Sequence, residues 1–259
     1  MQQRTAAPHT PCWTELTVPD PEAAKAFYGT VFGWQADAAP RPEAGAYTVF
    51  RLGDAPIAAV APLVDDSQPT AWGVCLAVED AERTVSRVAG HGGSTLMPPT
   101  DVFDLGRYGV LADPEGATFS VWQSSAAAGS EILGDPQSPG WIELATHDPA
   151  QALSFYPSVF GWTTHLSDFY TEWSLGGTRF GGLVDLNQVP APAGAASAHW
   201  KPYFKVADAD EAAARAAGAG GGVLLAPADV PGEDLRVSVL KDPQGAQFGV
   251  FAEVAAERD

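Results

Sequence analysis

The chain of 259 residues carries 32 acidic against 14 basic side chains, a net charge of −18, with 46% hydrophobic and 18% charged residues. That excess of negative charge repels phosphate backbones and argues against a nucleic-acid partner, and no apolar run approaches the roughly 18 residues that a membrane span needs. A globular, cytoplasmic protein is expected, with Cys12 and Cys75 as reduced thiols because they match no metal or disulfide spacing.

Residues 1–11 show no periodicity and no apolar segment of the signal-peptide kind, and read as a tail. From Trp13 the alternation of Trp13, Glu15 and Thr17 with Thr14, Leu16 and Val18 predicts a strand with two different faces. Asp20 followed by Pro21 forms a helix start, and Gly33 a stop. Between them, Phe27 and Val31 together with Ala24, Tyr28 and Phe32 recur at helical spacing. Strands are expected at 34–36, 46–52 and 57–63, after which the pattern restarts. A strand at 72–78 precedes a helix at 81–89 and strands near 94–97, 106–111 and 117–123. Asp113-Pro114-Glu115-Gly116 supplies a turn before the last of them.

The stretch Trp13–Trp34 then returns as Trp141–Trp162 with twelve of 22 positions identical, at an offset of 128, and the DPEGATF run after Leu111 returns as DPQGAQF after Leu240. Two tandem modules follow, at 12–124 and 140–253, joined by a small-residue linker at 125–139 and followed by a tail at 254–259. The class is α+β, each module reading as two βαβββ units. In the second copy Pro157 is expected to end or kink the helix near Tyr156.

Strand, Asp-Pro-capped helix with FYxxVFGW, and closing DPxGAxF strand, all duplicated, resemble the glyoxalase/bleomycin-resistance/dioxygenase superfamily, the vicinal oxygen chelate fold. In particular the chain is similar to a two-module actinobacterial branch associated with natural-product pathways. The resemblance implies that each module curls its eight strands into an open sheet with ligands on the concave face. It also implies metal ligands at three places per module. Those places hold Trp13, Gly73 and Ser120 in the first module and Trp141, Lys201 and Gly249 in the second. None is a usable donor as it stands, and the five histidines, His9, His91, His147, His165 and His199, are scattered. No metal and no other cofactor is expected.

If the family register holds, the ligand-facing set comprises Trp13, Glu15, Thr17, Ser120 and Trp122 in the first module. Its counterpart in the second is Trp141, Glu143, Tyr203, Gln247 and Phe251. Aromatics, small residues and one carboxylate per module suit a planar aromatic molecule, a cationic amine among the candidates. Burying about 300 Å² of such a molecule gains on the order of 7 kcal/mol before association costs. The first expectation is therefore a metal-free protein that sequesters or delivers an aromatic natural product, with a tailoring enzyme as a conceivable partner and a monomer or homodimer as the assembly. The alternative is an isomerase, lyase or dioxygenase with a relocated metal, or an acid–base catalyst using Glu15 or Glu143. A structural reading stands beside both: Glu15 and Glu143 paired with Arg107 or Lys201, and Trp34, Trp162, Phe27, Tyr28, Phe155 and Tyr156 in the core.

Overall fold

A computed structural model describes residues 6–38, 44–65, 68–125, 133–166, 170–189 and 196–254. Residues 1–5 and 255–259 of the expected tails, 126–132 of the linker and 190–195 of the second copy lie outside the described residues.

The first copy runs β1 (Pro11–Val18), α1 (Pro21–Phe32), β2 (Gln35–Ala38), β3 (Thr48–Leu52), β4 (Ala55–Pro62), β5 (Ala71–Ala77), α2 (Ala81–Gly90), β6 (Ser94–Val102), β7 (Gly106–Ala112) and β8 (Thr118–Ser124). The second repeats it with β9 (Pro139–Thr146), α3 (Pro149–Phe160), β10 (Thr163–Leu166), β11 (Thr171–Leu175), β12 (Thr178–Asp185), β13 (His199–Lys205), α4 (Ala209–Gly218), β14 (Gly222–Asp229), β15 (Leu235–Lys241) and β16 (Gln247–Glu253). Each copy forms one open eight-stranded sheet, in the order β2-β3-β4-β1-β5-β8-β7-β6 and its counterpart β10-β11-β12-β9-β13-β16-β15-β14. Both sheets are mixed: β1 runs parallel to β4, β5 to β8, β9 to β12 and β13 to β16, while the hairpins are antiparallel. The α+β reading of two such modules therefore holds.

The helix signals act as the sequence predicts. The Asp20 carboxylate accepts from the amides of Glu22 and Ala23 at 3.0 and 3.1 Å, and Gly33 ends α1 at a φ of 75°, where a side chain would be strained. Asp148 caps α3 through the Gln151 amide at 2.9 Å. Pro157 does not end the helix, since α3 continues to Phe160. Proline removes one hydrogen bond, to the carbonyl of Leu153. Burial of Phe155, Tyr156, Val159 and Phe160, each contributing about 1.5–3 kcal/mol, outweighs that loss. The Pro157 carbonyl still closes the last turn by accepting from Gly161 at 2.9 Å.

The compact units do not follow the repeat. One comprises Met1–Trp13, Gly73–Gly129 and Trp141–Lys201, the other Thr14–Trp72, Ser130–Gly140 and Pro202–Asp259, so each draws on both copies. In the second unit α1 packs against α4, and Phe27, Tyr28, Phe32 and Trp34 share a core with Phe204, Phe248 and the alanines of α4. In the first, α2 packs against α3, and Phe155, Tyr156, Phe160 and Trp162 share a core with Val88, Leu111 and Phe119. The repeated FY and DPxG motifs are the fasteners. Tyr28 donates to Asp242 at 3.2 Å and accepts from Trp72 Nε1 at 2.8 Å; Tyr156 donates to Asp113 at 2.9 Å and accepts from Trp200 Nε1 at 2.8 Å. The residue after each proline of DPxG adds a second tie. Gln244 brackets the backbone of Asp20 at 2.8 Å on both sides, and Glu115 accepts from the amides of His147 and Asp148 and from the Thr146 hydroxyl.

Candidate ligand-binding site

In β1 the even positions Leu16 and Val18 are fully buried in the core, which leaves Trp13, Glu15 and Thr17 half-buried on the opposite face. β9 repeats this, with Ile142 and Leu144 inside and Trp141 and Glu143 half-buried. The remaining expected residues lie on β8, β13 and β16. Ser120 and Tyr203 are buried, Trp122 and Phe251 half-buried, and Gln247, at the start of β16, exposed.

Glycines make room for the rings. Trp122 lies over Gly106, Tyr203 over Gly249 and Phe251 over Gly140, and a methyl group added at any of these glycines would collide with the ring above it. The Ser120 hydroxyl is bonded to the Tyr108 hydroxyl at 2.7 Å, and the Thr17 hydroxyl reaches the carbonyls of Pro69 and Ala71 at 3.4 Å.

On this face a polar cluster centres on Glu143, within the first unit. Its carboxylate accepts from the Tyr170 hydroxyl at 3.1 Å and lies 3.3 Å from the Lys201 ammonium, in a pair whose side chains are only 9% and 12% exposed. Trp141 Nε1 donates to the Tyr170 oxygen at 3.0 Å. Burial and the neighbouring carboxylate hold the Tyr170 phenol well above its ordinary pKa, so it stays protonated and donates. Gly182 stands opposite Glu143 in the register of β12 and β9, and the Tyr170 ring occupies the space that a side chain at 182 would need. On the same face of β13, two residues before Lys201, His199 Nδ1 lies 2.8 Å from the Ser197 carbonyl. A carbonyl only accepts, so Nδ1 carries the proton and Nε2 faces inward as a buried acceptor without a hydrogen-bond partner. Burial lowers the His199 pKa and keeps the ring neutral.

The first module has a sparser version in the second unit. Glu15 accepts from the Tyr47 hydroxyl, and burial raises its pKa above the usual carboxylate range despite that bond. Ala59 stands opposite it, and glycine at 73 supplies no counter-charge.

Of the structural pairings, Lys201 with Glu143 is present. Arg107 is not the partner of Glu15; it pairs with Glu82 at 3.0 Å and Asp101 at 3.1 Å, as its counterpart Arg236 does with Asp210 and Asp229. The reason is its strand position, on β7 beside β6 and the start of α2. Tyr47 and Tyr170 were missed. They recur at an offset of 123 rather than 128, so the alignment of the two copies hides them, although a Tyr-Thr pair at the start of a strand marks both.

The family's divalent metal does not fit this donor set. Tryptophan and glycine offer no ligand atom, Lys201 is an ammonium held by Glu143, and Ser120 is engaged by Tyr108. Among the described residues no three His, Cys, Asp or Glu side chains converge in a way that could hold an ion.

The fold and the duplicated motifs define a class that sequence comparison makes explicit. The model of the glyoxalase/bleomycin resistance protein/dioxygenase superfamily matches residues 11–121 and that of a glyoxalase-like domain residues 141–251, and the chain belongs to this superfamily. Among its relatives, anthracycline biosynthesis protein DnrV of Streptomyces peucetius is 37% identical over 262 residues, covering 94% of this chain and 93% of DnrV. The protein CFP32 of Mycobacterium tuberculosis is 37% identical over 251 residues, covering 93% and 94%. In fold the chain is similar to the Mn(II)-bound glyoxalase of Novosphingobium aromaticivorans, at a TM-score of 0.68 and 17% identity over 95% of this chain and 83% of that one. No helix among the described residues is long and apolar enough to cross a membrane.

Proposed function

We propose that this chain is a metal-free binding protein that sequesters or delivers a planar aromatic natural product of the antibiotic class. The observation that carries this reading is the replacement of the family's ligand positions by tryptophan, by glycine and by a lysine already paired with Glu143. Ring-bearing residues and floor glycines favour stacking and apolar contact, and indole faces contribute roughly 0.5–1.5 kcal/mol each beyond area burial. The names of DnrV and of its counterpart DauV in another Streptomyces support the ligand class, because anthracyclines are flat, fused-ring compounds. Titration of chelator-treated protein with a tetracyclic polyketide, followed by tryptophan fluorescence, tests it. Saturable quenching at micromolar concentration is expected, and unchanged fluorescence to about 1 mM sinks the idea.

Delivery to a tailoring oxygenase is part of the proposal, and co-elution with such an enzyme checks it. A second reading, metal-free acid–base catalysis, has one observation in its favour: the raised pKa of Glu15, which suits a general base. It requires turnover that Glu15→Gln abolishes.

A further inference from the structure

Resting on the binding reading above, we infer that the Glu143 carboxylate is a hydroxyl-reading site for a phenolic aromatic ring, occupied in this structure by the protein's own Tyr170. Three features of the Glu143 site argue for it. The Tyr170 oxygen gives its proton to Glu143 at 3.1 Å and receives one from Trp141 Nε1 at 3.0 Å, so donor and acceptor are set to satisfy both capacities of one phenol oxygen. The ring lies over Gly182, a floor that no side chain interrupts. Lys201 balances the charge of Glu143, which removes the preference for a cation that an unpaired carboxylate would have and leaves a neutral site that selects a hydroxyl.

The tyrosine–carboxylate contact alone recurs in the first module, without the lysine. Tyr47 hydrogen-bonds Glu15, and alanine stands opposite Glu15 where glycine stands opposite Glu143. Each tyrosine precedes its strand by one residue, before the buried threonines Thr48 and Thr171, and each is itself half-buried. Tyr47 also lines a cleft of about 330 Å³ with Pro21, Lys25 and Pro62. A side chain in this position competes with an incoming phenol of the same chemistry. Binding then consists of exchanging one phenol for another, and the internal ring lowers apparent affinity by the fraction of time it occupies the site.

The test uses Tyr170→Ala in the full chain. p-Cresol, the tyrosine side chain as a free molecule, is expected to raise the melting temperature of Tyr170→Ala and not that of the unsubstituted protein. 4-Methylanisole, which has no hydroxyl to donate, is expected to do neither. 2-Hydroxyanthraquinone, at a pH that keeps its phenol protonated, is expected to bind Tyr170→Ala about 3- to 10-fold more tightly than the unsubstituted chain, with its methyl ether unchanged. Tyr170→Phe, which keeps the ring but not its tie to Glu143, moves affinity in the same direction and serves if the alanine variant does not fold. Equal effects of p-cresol and 4-methylanisole, or weaker hydroxyanthraquinone binding by either variant, overturn the inference. If p-cresol rescues and no polycyclic compound binds, the proposed function falls while the phenol site stands. If polycyclic compounds bind the unsubstituted protein without p-cresol rescue, the site falls and the function stands.

Discussion

Lys201 shows how one residue sets the character of a whole face. At the place where metal-using relatives would need a donor, it presents an ammonium to Glu143 at 3.3 Å, with both side chains nearly out of water. Removing one member of such a pair strands the other, so Lys201→Met is expected to cost about 3 kcal/mol in guanidinium unfolding, and Lys201→Met with Glu143→Gln much less. Glu15 has no equivalent lysine, and burial raises its pKa. A carboxyl raised on folding holds its proton more tightly in the native chain, so stability falls as pH climbs from the unfolded carboxylate range through the folded pKa. Glu15→Gln should therefore match the unsubstituted protein near pH 4 and exceed it at pH 7 in unfolding midpoint. Equal midpoints at both values would contradict the assignment. From sequence, Glu15 and Glu143 were recognisable as polar residues on the non-core face of a strand. Their tyrosine partners were not, because these arrive from segments whose lengths differ between the copies.

At the scale of elements, caps and periodicity made the helices readable almost to the residue, since Asp20, Gly33, Asp148 and Gly161 are local signals with local causes. That α3 runs on past Pro157 is not legible locally, because the outcome is decided by tertiary packing: Tyr156 and Phe160 are almost fully buried on either side of it. Replacing it by alanine restores an amide to the Leu153 carbonyl. Pro157→Ala is expected to stabilise the protein by about 1–2 kcal/mol after allowing for the greater freedom of the unfolded chain, measured by thermal or denaturant unfolding. Tyr156→Phe tests the opposite sign. It removes the bond to Asp113, whose carboxyl is itself pushed up by burial, and should cost about 1.5–3 kcal/mol. The FY and DPxG motifs thus repeat because each copy's tyrosine needs the other copy's aspartate. That need is invisible in a linear repeat, which shows only that two motifs occur twice.

For the whole molecule, each compact unit is assembled from both copies, with Tyr28 reaching Asp242 in one and Tyr156 reaching Asp113 in the other. A fragment spanning 12–124 lacks α4 and the phenylalanines that complete the core around α1. It is expected to remain unfolded or to dimerise, and to recover native circular dichroism only when mixed with the 140–253 fragment; a folded, monomeric 12–124 fragment would refute this. The same duplication presents two carboxylate-bearing faces, of which the one around Glu143 has the complete set of Trp141, Tyr170 and Lys201. The most direct measurement of the central claim is calorimetric titration of a hydroxylated anthraquinone into protein stripped with chelator, repeated with added manganese, iron and zinc. Saturable micromolar binding that is the same with and without metal is expected. Binding that appears only with a stoichiometric divalent ion, or none up to about 1 mM, would contradict it.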